Sequence, residues 1–264
     1  MKKLFILFLL LLIGNNAYAN YKYKVTYSKG IYHIVIPFDG KTNRINFVSS
    51  ENLVTNRKMF KRSHADLVVN AGFFDPKNEK AISFVYTDGI LTEYPLLNEN
   101  LQNNPTIMGN WDKISNRVEF RITKDDNGYI YDICPHNKEY VGELITSAQA
   151  GPILLPTMDL EQEFFVVKDE DGNVIRESAG VLQKLPRTLI GLKDNYIHIL
   201  IVTLKKPMTI YEAKDLCQKY ALEKAMAFDG GSSTSFDTRK IHVISTSSKI
   251  ENTGRKLKSF LILK

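Results

Sequence analysis

A chain of 264 residues with 44% hydrophobic residues is long enough to bury one sizeable core or two small ones, and we expect a single domain. The formal net charge is +6, to which Lys2 and Lys3 contribute two charges, and the 35 basic and 29 acidic residues are spread along the chain. This balance argues against a dedicated nucleic-acid binder and is compatible with an anionic envelope or a phosphate-bearing substrate.

Residues 1–19 have the pattern of a secretory signal peptide. Lys2 and Lys3 precede the apolar run Leu4–Ile13, and Ala17-Tyr18-Ala19 supplies small residues for cleavage before Asn20. The apolar run is only about ten residues long, which makes an uncleaved membrane anchor the weaker alternative. We therefore predict export, to the periplasm or the medium, and no membrane span in residues 20–264. A signal peptide does not choose between those two destinations.

Short runs rich in Val, Ile, Tyr and Phe alternate with turn residues along the rest of the chain, which predicts strands joined by tight turns. The first strands are predicted at Tyr23–Tyr27, Ile31–Ile36 and Arg44–Val48, and hairpin turns at Asp88-Gly89, Asn127-Gly128 and Asp169–Asn173. The alternating oxygens of the last turn could suggest calcium. However, Gly172 stands at the fourth place of the run, where a calcium-binding loop needs glycine at the sixth.

Two stretches favour helices. Thr209-Ile210-Tyr211-Glu212 has the spacing of a capping box, and Ala213, Leu216, Cys217 and Tyr220 follow on one helical face. Residues 56–65 predict a shorter helix. With so many strands, these helices predict an α+β fold, in which one strand-rich domain over residues 20–264 has a mixed sheet covered by few helices.

Cys134 and Cys217 are the only cysteines, and an oxidising compartment would permit a disulfide between them. Cys217 lies on the apolar face of the predicted helix, where a cysteine is usually a small buried hydrophobic residue. Whether the two cysteines pair stays open at this point.

The stretch Ala225–Thr234 has the features of a site. An apolar run ends at Asp229, and Gly230, Gly231 and Ser232 follow it. A strand would hold Asp229 on rigid backbone, while the two glycines could adopt positive φ and expose main-chain N–H groups. The alternative is a polar turn in which Asp229 bonds its own loop.

Three further stretches share this character, with an apolar run bordered by polar and small residues: Asn70-Ala71-Gly72-Phe73-Phe74, Gln149-Ala150-Gly151-Pro152 and Arg187-Thr188-Leu189-Ile190-Gly191. In this order and spacing, together with Phe228–Ser233, they resemble the phosphodiester glycosidase family from about Asn70 to the end of the chain. Arg255, followed by a last apolar strand, resembles the family's closing segment.

The resemblance implies a compact mixed α/β fold that hydrolyses a glycosidic bond whose leaving group is a phosphodiester. It implies that Arg187 holds the phosphate and that Asp229 acts at the anomeric carbon. The planar guanidinium of Arg187 can pair two phosphate oxygens, and carboxylates usually stabilise the positive charge of sugar–oxygen cleavage. An ion pair at a strand end is the structural alternative for Arg187.

Asn70, Gln149 and Phe73 have two interpretations each. Asn70, assigned to catalysis, and Gln149 can bind sugar hydroxyls or orient water, or they can satisfy buried backbone groups at strand ends. Phe73 can line the sugar site or belong to the core. The other expected substrate-binding residues are four glycines and two polar residues: Gly72, Gly151, Gly230, Gly231, Ser232 and Arg255.

A second catalytic carboxylate is not evident from the sequence, since Asp75, Glu143 and Glu177 cannot be ranked as candidates. The scattered histidines lack metal-ligand spacing, so we predict no metal and no cofactor. A divalent cation held by Asp229 and main-chain oxygens is compatible with the sequence without being demanded by it. The expected substrate is a sugar phosphate or an envelope glycan. The alternative function is a non-catalytic envelope module that binds phosphorylated glycans or a protein partner.

Overall fold

The computed structural model describes residues 22–245 and 253–264. The predicted signal peptide, residues 1–19, lies outside this range. In the part of the chain that the structure describes, no helix has both the length and the apolar character needed to cross a membrane.

The fold is mostly β. Eighteen strands lie within the described residues: β1 (Lys24–Ser28), β2 (Ile31–Pro37), β3 (Ile45–Thr55), β4 (Leu67–Asn70), β5 (Val85–Thr87), β6 (Ile90–Glu93), β7 (Val118–Asp125), β8 (Gly128–Pro135), β9 (Glu143–Gln149), β10 (Ile153–Leu155), β11 (Val166–Lys168), β12 (Val174–Glu177), β13 (Arg187–Lys193), β14 (Tyr196–Val202), β15 (Lys224–Ala227), β16 (Ser235–Thr238), β17 (His242–Ile244) and β18 (Lys256–Leu263).

The helices of the described residues are few and mostly short: α1 (Asn56–Ser63), α2 (Glu99–Gln102), α3 (Pro105–Met108), α4 (Trp111–Ser115) and α5 (Ile210–Lys219), with single 3-10 turns at Pro95–Leu97 and Gly231–Ser233. The predicted capping box begins α5, since the Thr209 side chain accepts from the Glu212 N–H and the Glu212 carboxylate accepts from the Thr209 N–H. The predicted helix over residues 56–65 is confirmed by α1.

The strands form three larger sheets and one hairpin. The orders are β1-β2-β14-β13-β15-β10, β17-β16-β4-β18-β3 and β6-β5-β9-β7-β8, and β11 pairs with β12. The three predicted hairpin turns join β5 to β6, β7 to β8 and β11 to β12.

The prediction of a mixed sheet was wrong. Each strand pair within the described residues is antiparallel, including pairs far apart in sequence such as β4 with β16 and β4 with β18. An apolar run indicates a strand buried on both faces, but it does not specify the direction of the neighbouring strand.

One core cluster takes residues from all three larger sheets, and β14 shows how it is built. Ile197, Ile199 and Ile201 face this cluster, whereas Leu200 and Val202 face a second cluster beneath α5. Successive side chains of a strand point to opposite faces, so a strand covered on both sides is apolar throughout. The rigid sheet that carries β13 and β15 to their ends therefore lies between two cores.

Cys134 and Cys217 are free thiols, and both are buried. Burial raises the pKa of each thiol to about 12. Cys217 lies on the face of α5 that packs on the sheet, as its helical spacing predicts.

Candidate functional site

Three of the four stretches identified in the sequence meet at Asn70, the last residue of β4. The Asn70 Nδ2 donates to the Asp229 carbonyl at 2.6 Å. Its Oδ1 accepts from the Thr188 hydroxyl at 2.7 Å and from the Ser235 N–H at 3.1 Å. One buried amide thus joins the ends of β4, β13, β15 and β16, and we call this set of contacts the Asn70 junction.

The segment that contains Gln149 is attached to the same junction. The Gly151 N–H donates to the Ala227 carbonyl at 2.9 Å, and the Ala227 N–H donates to the Pro152 carbonyl at 3.0 Å. The Gln149 Nε2 donates to main-chain carbonyls, at 2.7 Å for Ser115 and 3.2 Å for Arg117. Asn70 and Gln149 therefore both satisfy buried backbone groups, and their roles toward a sugar stay predictions.

Arg187 is buried beside Gly230 and bonds main-chain oxygens. Its Nε donates to Met208 at 2.9 Å, and its Nη2 donates to Gly180 and Gln183 at 2.7 Å each. A Cβ on Gly230 would lie 3.7 Å from the Arg187 Nη1. Burial lowers the pKa of Arg187 to about 10, so it stays charged at neutral pH. These contacts hold a loop, and the phosphate-binding role of Arg187 stays a prediction.

The two glycines after Asp229 differ in conformation. Gly231 has a φ of +59°, as the sequence predicts. Gly230 is extended, with φ −111° and ψ −159°, so it does not use the positive φ that glycine permits. Its side-chain position is instead close to neighbouring backbone, because a Cβ would lie 3.1 Å from the Pro186 carbonyl oxygen. Both positions favour glycine, one for its torsion and the other for close approach.

A cavity of about 290 Å³ lies next to the Asn70 junction, and Asp229 is on its wall. Its aromatic lining residues are Phe73, Phe74 and Phe165, and its aliphatic or small ones are Ile82, Leu101, Ile107, Ile114 and Ala179. Its polar or charged lining residues are Arg117, Arg176, Ser178, Asp229 and Arg255. The predicted site residues Phe73, Asp229 and Arg255 thus share one cavity. We call this cavity the arginine cavity.

The Asp229 carboxylate is the acidic group of the arginine cavity. Removal from water raises its pKa from 3.8 to about 6, while Ser233, Arg255 and the Gly230 N–H oppose that rise. The Asp229 N–H donates to the Ala71 carbonyl at 2.9 Å, which together with Asn70 fixes its main chain. A carboxylate held in this way can exchange a proton near neutral pH.

Arg255 lies beside this carboxylate. Its Nη1 donates to the Ser232 hydroxyl at 2.6 Å, and its guanidinium carbon lies 5.0 Å from the centre of the Phe74 ring. The predicted site residues Ser232 and Arg255 are therefore in direct contact. Their position lets a guanidinium charge act on a group bound next to Asp229.

Sequence reasoning missed two further arginines, Arg117 and Arg176. The Arg117 Nε donates to the Glu163 carbonyl at 2.8 Å, and its guanidinium carbon lies 4.0 Å from the Phe165 ring centre. The Arg176 Nη1 donates to the Phe164 carbonyl at 3.3 Å, and its guanidinium carbon lies 4.3 Å from the centre of that ring. Aromatic faces and carbonyls hold both cations, and the cavity therefore presents three arginines.

The candidate second carboxylates, Asp75, Glu143 and Glu177, are not among the described residues that line the arginine cavity. Asp75 accepts from the Asn100 side chain at 2.7 Å, and Glu177 accepts from the Gln183 side chain at 2.6 Å. Among the described lining residues, Asp229 is thus the single carboxylate.

Glu163 is a buried carboxylate that the sequence did not single out. It accepts from the Val118 N–H at 2.9 Å and from the Ile153 N–H at 2.7 Å, which ties the start of β7 to the start of β10. Burial raises its pKa to about 7, and the two N–H donors and Arg117 oppose that rise. Glu163 thus supports the part of the cavity wall that Arg117 forms.

Within residues 22–245 and 253–264, no three His, Cys, Asp or Glu side chains are grouped as a metal site would require. The absence of a metal requirement stays a prediction.

Comparison with solved structures shows the fold. The chain is similar to the zebrafish N-acetylglucosamine-1-phosphodiester alpha-N-acetylglucosaminidase catalytic domain auto-inhibited by its pro-peptide, with a TM-score of 0.65 and 11% identity over 91% of this chain and 81% of that one. It is also similar to a putative exported protein from Burkholderia pseudomallei, with a TM-score of 0.60 and 12% identity over 88% of this chain and 73% of that one.

A hypothetical protein from Synechocystis has a TM-score of 0.57 and 13% identity over 92% of this chain, which spans 61% of that structure. Comparison with curated protein sequences gave no match. The family model described as phosphodiester glycosidase matches residues 63–264, which begins slightly before the resemblance seen in the sequence. The match covers well over half of the sequence, and the chain belongs to the phosphodiester glycosidase family.

Proposed function

We propose that this protein is a hydrolase that cleaves the glycosidic bond of a sugar-1-phosphodiester. The observation that carries the proposal is that one carboxylate with a raised pKa shares a cavity with three guanidinium groups. Membership of the phosphodiester glycosidase family supports a hydrolytic role on phosphodiester-linked sugars. The zebrafish protein of similar fold is an enzyme whose name specifies N-acetylglucosamine, which gives a first substrate to test.

In the proposed reaction, water adds to the anomeric carbon and the bond from that carbon to the phosphate oxygen breaks. The products are the free sugar and a phosphate monoester, and no phosphorus–oxygen bond changes. A phosphate is a good leaving group, so it needs charge stabilisation more than protonation. Arg255, Arg117 and Arg176 would supply that stabilisation, because guanidinium groups hold phosphate oxygens through paired N–H donors.

Asp229 would act at the anomeric carbon. Positive charge develops on the sugar in the transition state, and an ionised carboxylate stabilises that charge or takes a proton from the attacking water. With a pKa of about 6, Asp229 is mostly ionised at neutral pH and still basic enough to accept a proton. Phe73, a half-buried aromatic side chain on the cavity wall, offers an apolar face for a sugar ring.

Arg187 and Asn70 would act here as positioning residues. Asn70 fixes the main chain of Asp229, and Arg187 packs behind Gly230. A direct contact between Arg187 and the phosphate, as the resemblance implies, would use its Nη1. Comparison of Arg187→Lys with Arg255→Lys separates these two roles.

The test is hydrolysis of an N-acetylglucosamine 1-phosphodiester in oxygen-18-labelled water. We expect the label in the sugar and not in the phosphate, and we expect Asp229→Asn to lose turnover by a factor on the order of 10² or more while staying folded. Label in the phosphate would make the protein a phosphodiesterase. Full turnover by Asp229→Asn would reject the role of Asp229. Asp75→Asn, on a carboxylate that does not line the cavity, is the matched control.

A non-catalytic module that binds phosphorylated glycans or a protein partner is the second candidate. It is favoured by the single carboxylate among the described lining residues, since most glycosidases use a pair. Saturable binding of the diester with no product after long incubation would support this function, and product in excess of protein would exclude it.

We also propose that the protein is exported, on the basis of the signal-peptide pattern of residues 1–19. N-terminal sequencing of the protein recovered from the periplasm or the medium tests this. Asn20 as the first residue is the expected result, and full-length protein retained inside the cell would contradict it.

A further inference from the structure

One part of the arginine cavity is aliphatic. Leu101, Ile107 and Ile114 come from α2, α3 and α4, and Ile82 adds a fourth aliphatic side chain. Leu101 and Ile114 are buried, while Ile107 and Ile82 are half-buried. We call these four residues the aliphatic wall. None of them can donate or accept a hydrogen bond through its side chain.

This wall is a poor surface for a second sugar. A hydroxyl that leaves water needs a replacement hydrogen bond, and an unsatisfied one is costly. Among the described residues that line the cavity, Ser178 is the single uncharged polar side chain. The remaining polar lining is Asp229 and the three arginines, which the proposed reaction uses for the anomeric carbon and the phosphate.

We propose that the alcohol on the far side of the phosphate is an aliphatic chain, so that the substrate class is a glycosyl phosphodiester of a lipid-type alcohol. This inference rests on the proposed function for the placement of the phosphate. The arginines then hold the phosphate, and the alkyl group packs on the aliphatic wall. Such an occupant matches both the cationic and the apolar parts of the cavity, and it removes apolar surface from water on both sides.

Binding of n-alkyl phosphates tests the aliphatic subsite without turnover. The probes are ethyl, butyl, hexyl and octyl phosphate, measured by calorimetry. We expect the dissociation constant to fall about fourfold for each added methylene until the cavity is filled. Equal affinities along the series would overturn the inference, whether or not the protein is an enzyme.

A pair of adjacent residues supplies the matched variants. Ile107 lines the cavity, whereas Met108 is 36% exposed and does not line it. Ile107→Gln is expected to abolish most of the gain with chain length, and Met108→Gln to leave it unchanged. The same chain-length dependence in both variants would overturn the assignment of this wall.

Turnover of two diesters separates failure of the inference from failure of the proposed function. Both carry N-acetylglucosamine 1-phosphate, esterified in one to octanol and in the other to a primary hydroxyl of methyl glucoside. We expect a higher kcat/KM for the octyl diester, through a lower KM. Equal or faster turnover of the sugar diester would overturn the inference and keep the function. No turnover of either diester, together with a chain-length effect on binding, would reject the function and keep the aliphatic subsite.

Discussion

The Asn70 junction and the arginine cavity lie side by side, but they use polar groups differently. At the junction, one side chain that is 1% exposed bonds the Asp229 carbonyl, the Thr188 hydroxyl and the Ser235 N–H. In the cavity, Arg255 and Asp229 form part of the wall, where a bound group can contact them. The short motifs that stand out in the sequence thus build a frame, whereas much of the charge that faces the cavity comes from positions outside those motifs.

The largest expected effect is a loss of stability when the Asn70 junction is disrupted. Asn70→Ala is expected to lower the free energy of unfolding by about 3–5 kcal/mol, because three buried polar groups lose their partner. Urea unfolding followed by circular dichroism measures the change. Asn100→Ala, which removes an exposed bond to Asp75, is the matched control and should stay within about 0.5 kcal/mol. A loss at Asn70 no greater than at Asn100 would contradict the junction's structural role.

Lysine variants of Arg255 and Arg187 should differ in whether they lose activity or stability. Arg255→Lys keeps the charge but loses the planar fork, so we expect kcat/KM to fall about 100-fold, equivalent to about 2.7 kcal/mol, with little change in stability. Arg187→Lys loses the bonds to Met208, Gly180 and Gln183, and it should mainly lower stability.

Steady-state kinetics with unfolding curves for both variants make the test. A folded Arg187→Lys protein that loses more turnover than Arg255→Lys would assign the phosphate to Arg187, as the sequence resemblance implies.

The junction was predictable because local sequence reports where strands end. Runs such as Leu67–Val69 and Ala225–Phe228 end at a polar residue, and a polar side chain at a strand end has backbone groups to satisfy. That reasoning located Asn70 and Asp229 and gave both interpretations of Asn70. It could not choose between them, since the choice depends on Thr188, which lies 118 residues away.

The arginines of the cavity had no comparable signal. Arg117 precedes β7 and Arg176 lies in a hairpin strand, where an arginine is ordinarily a solvated side chain. They line a cavity because Glu163, Phe164 and Phe165 come from another part of the chain to hold them. The prediction of a mixed sheet was wrong for the same reason. The partners of a strand are set by long-range packing, which a single run of residues does not encode.

The pKa of Asp229 gives a pH-dependent test. Its folded pKa, about 6, is above its ordinary value of 3.8, so the folded state binds this proton more tightly than the unfolded chain does. The resulting stabilisation is complete below about pH 4 and is lost as the pH rises through about 6. We therefore compare the change in the free energy of unfolding that Asp229→Asn causes at two pH values. This change should be more favourable at about pH 7 than at about pH 4, by on the order of 2 kcal/mol.

Unfolding curves of the wild-type protein and Asp229→Asn at both pH values make the measurement. Asp125→Asn is the control variant, because the Asp125 carboxylate accepts from the Asn127 N–H in the turn between β7 and β8 and does not line the arginine cavity. If Asp229→Asn changes the free energy of unfolding equally at both pH values, the pKa of Asp229 is not raised in the folded protein.

The smallest expected difference between two variants lies where the frame meets the cavity. Gly151 has a φ of +116°, and a Cβ there would lie 3.0 Å from the Phe165 ring and 3.1 Å from the Glu163 Oε1. Gly172 also has a positive φ, +82°, but nothing lies within 4 Å of its Cβ position. Gly172→Ala should cost only the torsional strain, about 1 kcal/mol, and Gly151→Ala about 1–2 kcal/mol more.

Because Phe165 lines the cavity, Gly151→Ala should also raise KM while Gly172→Ala leaves it unchanged. Equal stabilities and equal KM values in the two variants would mean that the frame can move without reshaping the cavity, and that the two regions are coupled less closely than their contacts indicate.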